Sequence, residues 1–253
     1  MPNEQAERPA RILDIDLDFF LADVFYKNAS NERPGGDRYA PWPGQDVRDF
    51  LERGCGLDKG APLPGKGVVK HDEVFYVWRG RIEKGLLLPP FEVVHVDAHA
   101  DLGMGDASYA YIMTEHLGKP VHLRSHPPTT EWSGINEGNY LAFAIACRWI
   151  SRLTYVRHEK WEDDLLPCYM KGEDEDSGVI QLKYFGQIDA HSLMLGHETP
   201  LALEPEVPFQ MIAGRLYRNE QPFDRMYLAL SPSYTPEGAD KLIPIIKEYM
   251  AED

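Results

Sequence analysis

The most regular pattern in the chain is an alternation of apolar and acidic residues near its start. In residues 11–20, RILDIDLDFF, Asp14, Asp16 and Asp18 are separated by Ile15 and Leu17. Side chains two apart in a strand share a face, so this segment predicts a strand. Its flanks of Ile, Leu and Phe place both faces in the interior. A second such segment, FEVVHVDAHADLG at 91–103, follows the break at Pro89 and Pro90 and ends in polar residues. Between them lies a stretch rich in Gly and Pro (27–66), interrupted by one short helical piece, VRDFLERG. GVVKHDEVFYVWRGRIEKG reads as a short strand, a loop at His71 and a helix, and GNYLAFAIACRWISRLTYV as a buried helix running into a strand. KGEDEDSG is an acidic, solvated turn, and LKYFGQIDAH a further strand. DRMYLALSPSYTPEGADKLIPIIKEYM gives strand, loop and amphipathic helix, with Leu242, Ile245, Ile246 and Tyr249 on one face.

Strands alternating with helices predict an α/β protein with a mostly parallel sheet covered on both faces. With no internal repeat and no linker, residues 1–253 read as one domain behind a disordered leader at 1–9. At 43% hydrophobic, the chain can bury a substantial core. No run of about 18 apolar residues is present to form a transmembrane helix. The polar start MPNEQAERPA does not read as a secretory signal. Cys55, Cys147 and Cys168 form no CxxC pair and suit a reducing, cytoplasmic setting. A formal net charge of −15 argues against nucleic acid as a partner. It suits a cationic substrate or a site that consumes carboxylates.

Candidate chemistry sits at the ends of the two alternating segments. In HVDAHADL, His95, Asp97, His99 and Asp101 recur at every second position, so Asp97, His99 and Asp101 can converge on one point. Buried carboxylates are prohibitively costly unless cations neutralise them, and mixed carboxylate and imidazole donors suit manganese, iron or zinc. The same holds for Asp14, Asp16 and Asp18. Two adjacent metals generate a nucleophile from water at neutral pH. Such a site needs about six ligands, and His71 in VVKHDEVFYVW is the candidate for the remaining one. The competing reading of His71 is a helix-start histidine beside Asp72 and Glu73.

At this point the pattern resembles the ureohydrolase superfamily, which carries a GGDH-type loop, a DAHxD segment and a DxDxxD segment. HVDAHADL matches the second closely, KHDE matches the first only at its histidine, and DIDLDFF matches the third loosely. The chain is more similar to the ureohydrolase-like branch that includes the peptide arginases of ribosomal peptide natural-product pathways. That likeness rests on DIDLDFF, DAHADL, the N-Y-led helix near 139 and LALSPSYTPEGAD. It implies a three-layer arginase-like fold whose motif order is circularly permuted, because DIDLDFF precedes DAHADL here. By motif position, His71, Asp97 and Asp101 would serve one of two Mn2+ ions, or other divalent metals, together with an aspartate from DIDLD. Asp97 would bridge, and His99 would serve the second ion. Asp16 and Asp18 are the favoured pair with Asp14 behind them; Asp14 with Asp16 is the alternative.

The resemblance further implies hydrolysis of a guanidinium group to ornithine and urea. His116 in EHLGKP is the candidate proton shuttle, with His122 and His126 as substitutes; a surface histidine is the alternative reading. Glu137 in INEGNY, or Glu237 after SPSYTP, would receive the guanidinium, although either also suits a helix start. The loop with which arginases grip free amino-acid ends has no counterpart in GMGDASYAYIMTEH. This points to an arginine-containing precursor peptide as substrate, in the cytoplasm, with an oligomer possible. The alternatives are a small-molecule ureohydrolase, a deacetylase-type amidohydrolase and a non-catalytic metal-binding scaffold.

Overall fold

The computed structural model describes residues 8–26, 32–104, 106–128, 134–186 and 199–253. The first acidic segment forms β1 (Arg11–Asp16), and a glycine-bearing segment forms β2 (Leu63–Val68). The DAHAD segment supplies β3 (Phe91–Asp97), followed by β4 (Ile150–Arg157), β5 (Val179–Ile180), β6 (Lys183–Tyr184) and β7 (Ala202–Leu203). The last are β8 (Val207–Ala213), β9 (Arg225–Ala229) and β10 (Met250–Glu252). Eight of these form one sheet in the order β10-β2-β9-β1-β3-β4-β8-β5. Only β5 runs antiparallel to its neighbour there; β6 and β7 make a separate ribbon.

Alternation sorts the side chains of this sheet into two cores. On one face Leu13 and Ile15 of β1 join Val94 and Val96 of β3, Val156, Met226 and Leu228. Helix α1 (Gly44–Asp49), continued by a wide turn through Gly54, covers this face through Val47 and Leu51. On the other face Ile12 joins Phe91, Val93, Tyr155 and Tyr227 beneath helix α2 (Glu73–Glu83), which contributes Val74, Phe75 and Trp78. Helix α3 (Ser108–Tyr111) and the buried helix α4 (Tyr140–Ala146) lie on this same side. The C-terminal helix α5 (Ile243–Lys247) closes the first face with Ile246. Each such fully buried Val, Leu, Ile or Phe contributes about 1.5–3 kcal/mol. The layering matches the α/β reading. No described helix is long and apolar enough to cross a membrane.

Several local expectations change. Arg8, inside the expected leader, pairs with Asp224 at 2.8 Å; residues 1–7 lie outside the described residues. The strand before His71 begins earlier than GVV, at Leu63, because Gly65 lets β2 press against β9: a Cβ there would meet the Met226 carbonyl oxygen at 1.9 Å. In LKYFGQIDAH only Lys183–Tyr184 is strand, and residues 187–191 lie outside the described residues. On the C-terminal segment Leu242, Ile246 and Tyr249 are fully buried, whereas Ile245 is only half-buried. β8 and β10 were not anticipated: VPFQMIA carries a proline and no alternation, and MAE is too short to read.

Strand order creates the site's location. From β1 the chain crosses to α1 on one face, and from β3 it crosses to α3 and α4 on the other. Adjacent parallel strands whose exits diverge leave a crevice at their carboxyl ends, where open α/β sheets bind ligands. β1 and β3 are such neighbours, paired in parallel from Arg11↔Glu92 to Ile15↔Val96.

Candidate metal centre

Strand geometry alone puts four polar side chains on one face. Asp14 is the register partner of His95, and Asp16 and Asp97 follow two residues later on their strands. Beyond β1 the Asp16 carboxylate accepts the Asp18 N–H at 3.0 Å, starting the tight turn Leu17–Phe20 that holds Asp18 at the same crevice. Asp18 in turn accepts the Ala98 N–H at 3.3 Å. Beyond β3 the Asp97 Oδ1 accepts the His99 N–H at 2.7 Å, and Asp164 accepts the Ala100 N–H at 2.9 Å. Asp101 then adopts φ +51°, and Ser231, which follows β9 and donates its hydroxyl to Asp16, adopts φ +41°. Left-handed backbone at a non-glycine residue is uncommon, and such conformations cluster at functional sites.

His71 enters from the start of α2. Its Nδ1 lies 3.1 Å from Asp16 Oδ2, 3.0 Å from Asp97 Oδ2 and 3.1 Å from Asp101 Oδ2. Despite this proximity, His71 Nδ1 meets no partner at hydrogen-bond geometry and is shut off from solvent. A second group forms beside it. His99 Nδ1 lies 3.0 Å from Asp18 Oδ2 and 3.6 Å from Asp97 Oδ1. The two oxygens of Asp97 therefore face two different imidazoles, each accompanied by further aspartates. Asp14, Asp16, Asp18, Asp97 and Asp101 are all at most 6% exposed.

The electrostatics reflect this crowding. Burial, reinforced by Asp16 and Asp97, lifts the Asp18 carboxyl well above its usual range against the pull of His99. Burial and the Asp97 charge likewise push Asp101 up to about 7. Burial opposes charge on His71 and His99, yet the surrounding acids hold both well above the ordinary imidazole value. For Asp97, burial is outweighed by His95, His71 and His99, which keep it well below the carboxylate range. Carboxylates and imidazoles this crowded and buried could hold metal ions. The combinations Asp16, His71, Asp97 and Asp18, Asp97, His99 each bring donor atoms within 4.8 Å of one another.

The centre opens into a cavity of about 350 Å³. Asp16, Asp18, His71, Asp97, His99 and Asp101 line it, as do Glu137 and the acids Glu162, Asp163 and Asp164, with no lysine or arginine among the described lining residues. Tyr26 and Tyr234 stand against the His99 ring, with centroids 5.3 and 5.1 Å away. Glu137 keeps one carboxylate oxygen buried and unpartnered. Burial raises its pKa, partly countered by Lys70.

Other expected residues are placed elsewhere. His116 is not brought to the cavity. It lies buried on the turn after α3, its ring 5.6 Å from that of Tyr111 and 5.1 Å from that of Phe143, with neither nitrogen partnered. The placement corrects its assignment as proton shuttle, since a ring enclosed by apolar neighbours has no path to substrate. His122, His126 and Glu237 are exposed and do not line the cavity. Asp14 sits behind the centre with His95 and Tyr140, away from the cavity lining. Tyr140, Ser231 and Asp164 were not singled out from sequence. The tyrosine reads as one more core aromatic in YLAFAIA, and the other two act through the fold, from loops far along the chain. No family model, curated protein or solved structure matches this chain.

Proposed function

We propose that the chain is a binuclear metal-dependent hydrolase of guanidinium groups, a peptide arginase that converts peptidyl arginine to ornithine with release of urea. The observation that carries the reading is Asp97, buried between two imidazoles with one carboxylate oxygen toward each. The donor set fits two divalent ions. His71, Asp16, Asp97 and Asp101 would hold one; His99, Asp18 and Asp97 would hold the other. Manganese suits this oxygen-rich mixture with few imidazoles. When bound, such a pair supplies a nucleophile from water at neutral pH and stabilises developing negative charge.

The residues of the chain supply recognition and exclusion. Glu137 offers a partly desolvated acceptor on the cavity wall for guanidinium N–H groups, a charge-assisted contact. Glu162, Asp163 and Asp164 extend the negative field outward, which favours a cationic side chain. The same acid-rich wall disfavours a free α-carboxylate, because the described lining residues include no lysine or arginine to receive it. An arginine whose carboxylate is tied up in a peptide bond escapes that penalty. Water adds to the guanidinium carbon. The bond from that carbon to the side-chain nitrogen breaks as the nitrogen takes up a proton from the added water, and urea leaves an ornithyl side chain in the peptide. We place this activity in the cytoplasm, as a post-translational modification of a ribosomal precursor peptide, and include the arginase-like, permuted fold in the proposal.

The decisive experiment offers manganese-loaded protein an arginine-containing peptide, free arginine and agmatine, recording urea and peptide mass. Urea from the peptide with arginine converted to ornithine is the expected result. Urea from free arginine alone would transfer the activity to small molecules, and no urea from any of the three would overturn the guanidinium reading.

A further inference from the structure

Behind the proposed metal pair lies a buried polar layer that never reaches the cavity. The Tyr140 hydroxyl is 2.5 Å from Asp14 Oδ2, 3.0 Å from His71 Nε2 and 3.4 Å from His95 Nδ1. Asp14 Oδ1 lies 3.3 Å from His71 Nε2, and Asp14 Oδ2 lies 3.4 Å from His95 Nδ1. His95 Nε2 is 3.1 Å from the His99 carbonyl oxygen and 3.3 Å from Asp97 Oδ2. Asp14, His95 and Tyr140 are fully buried, and none of the three lines the cavity.

Proton bookkeeping fixes the roles in this layer. The phenol hydrogen goes to Asp14, the nearest acceptor. His71 Nε2 faces the Tyr140 oxygen and Asp14 Oδ1, both able to accept, so the ring hydrogen belongs on Nε2. That turns Nδ1 toward Asp16, Asp97 and Asp101, where a bound cation would draw all four groups together. His95 faces the His99 carbonyl oxygen with Nε2 and the Asp14 carboxylate with Nδ1, so a hydrogen on either nitrogen meets an acceptor.

We infer that Tyr140, Asp14 and His95 are positioning residues that hold His71 with its Nδ1 turned into the centre, and that Asp14 is not itself a metal ligand. Asp14, His71 and His95 do bring donor atoms close enough to suggest a further cation site. The Tyr140 hydroxyl stands among those atoms, and Asp14 has no opening to the cavity. The inference rests on the reading of a metal pair in front of this layer. Partners of this kind, which orient a ligating histidine, typically change metal affinity 10–100-fold when removed.

The test is manganese titration of the wild-type chain, Tyr140→Phe, Asp14→Asn and the double variant by calorimetry, with the electron paramagnetic resonance of the loaded proteins. Near-UV circular dichroism of the metal-free forms serves as the control for folding. Each single variant should still bind two ions at saturation, one of them about 10–100-fold more weakly. The spectrum of the coupled ion pair should shift. The double variant should lose less than the product of the single effects, because both act through His71. Unchanged affinity and spectrum in Tyr140→Phe would overturn the positioning role. A loss of one whole ion in Asp14→Asn would make Asp14 a ligand and overturn the assignment. A wild-type chain that binds no manganese would overturn the metal reading itself, and this inference with it.

Discussion

The two faces of β1 are built from neighbouring residues and behave as opposites. Leu13 and Ile15 enter an apolar core where every contact favours folding. Asp14 and Asp16 enter a pocket of carboxylates and imidazoles where the same burial penalises charge. On β3 the division repeats, with Val94 and Val96 on one side and His95 and Asp97 on the other. One face is closed by apolar packing; the other gathers buried carboxylates and imidazoles that could hold metal ions. The sheet thus separates apolar packing from a crowded ionisable site across the thickness of a single strand.

The strongest way to break this contrast is Asp97→Ala. It removes the group shared by both halves of the centre, so metal analysis should show both ions lost and urea release should fall below detection. Retention of either ion would sink the bridging role. On the opposite face, Leu13→Ala should cost about 2–5 kcal/mol in denaturant unfolding. Metal content and turnover per folded molecule should stay at wild-type values. A loss of metal there would mean the two faces are not independent.

A smaller effect should come from pH. His71 and His99, held above the imidazole value, and Asp18 and Asp101, held above the carboxylate range, must release protons to bind cations. Manganese affinity should therefore rise with pH, and calorimetry in buffers of different ionisation enthalpy should detect proton release. Affinity independent of pH would contradict these protonation states.

The smallest effect on catalysis belongs to His116→Phe. Burial, then Lys119 and Arg124, depress the His116 pKa from 6.5 to about 3. Below pH 6.5 the unfolded chain binds a proton that the folded ring refuses, so stability falls with pH until about 3 is reached. Replacing the ring with Phe should flatten that acid loss in melting experiments and leave turnover unchanged. A collapse of turnover with normal folding would restore His116 to the mechanism.

How much of this was legible follows from the physics of each element. Period-two alternation with aspartate is rare enough in an apolar segment that β1 and β3 could be read directly, but which aspartates of β1 meet Asp97 could not, because that depends on strand register. His71 was legible as a donor but not its ring orientation, which is set by Tyr140 and Asp14 across the fold. Tyr140 gave no polar signal, because its hydroxyl lies at the end of an otherwise apolar ring within a fully buried helix. His116 was misread because distance along the chain says nothing about which way a turn faces. The wide turn Ile112–His116 rotates it into the core. The acids Glu162, Asp163 and Asp164 stand in no pattern that points to a site, and only the return of the chain after β4 brings them to the cavity.

The position of β9 beside β1 has a consequence for the order of assembly. β1 and β3 can pair as soon as residue 97 has been made, but the Ser231 hydroxyl that donates to Asp16 lies 215 residues later in the chain. Contacts of such sequence separation form slowly, and a nascent chain must wait for them. Until β9 slots in, β1 has an open hydrogen-bonding edge and the crevice lacks one wall. Completion of the crevice therefore waits until β9 and Ser231 have been made.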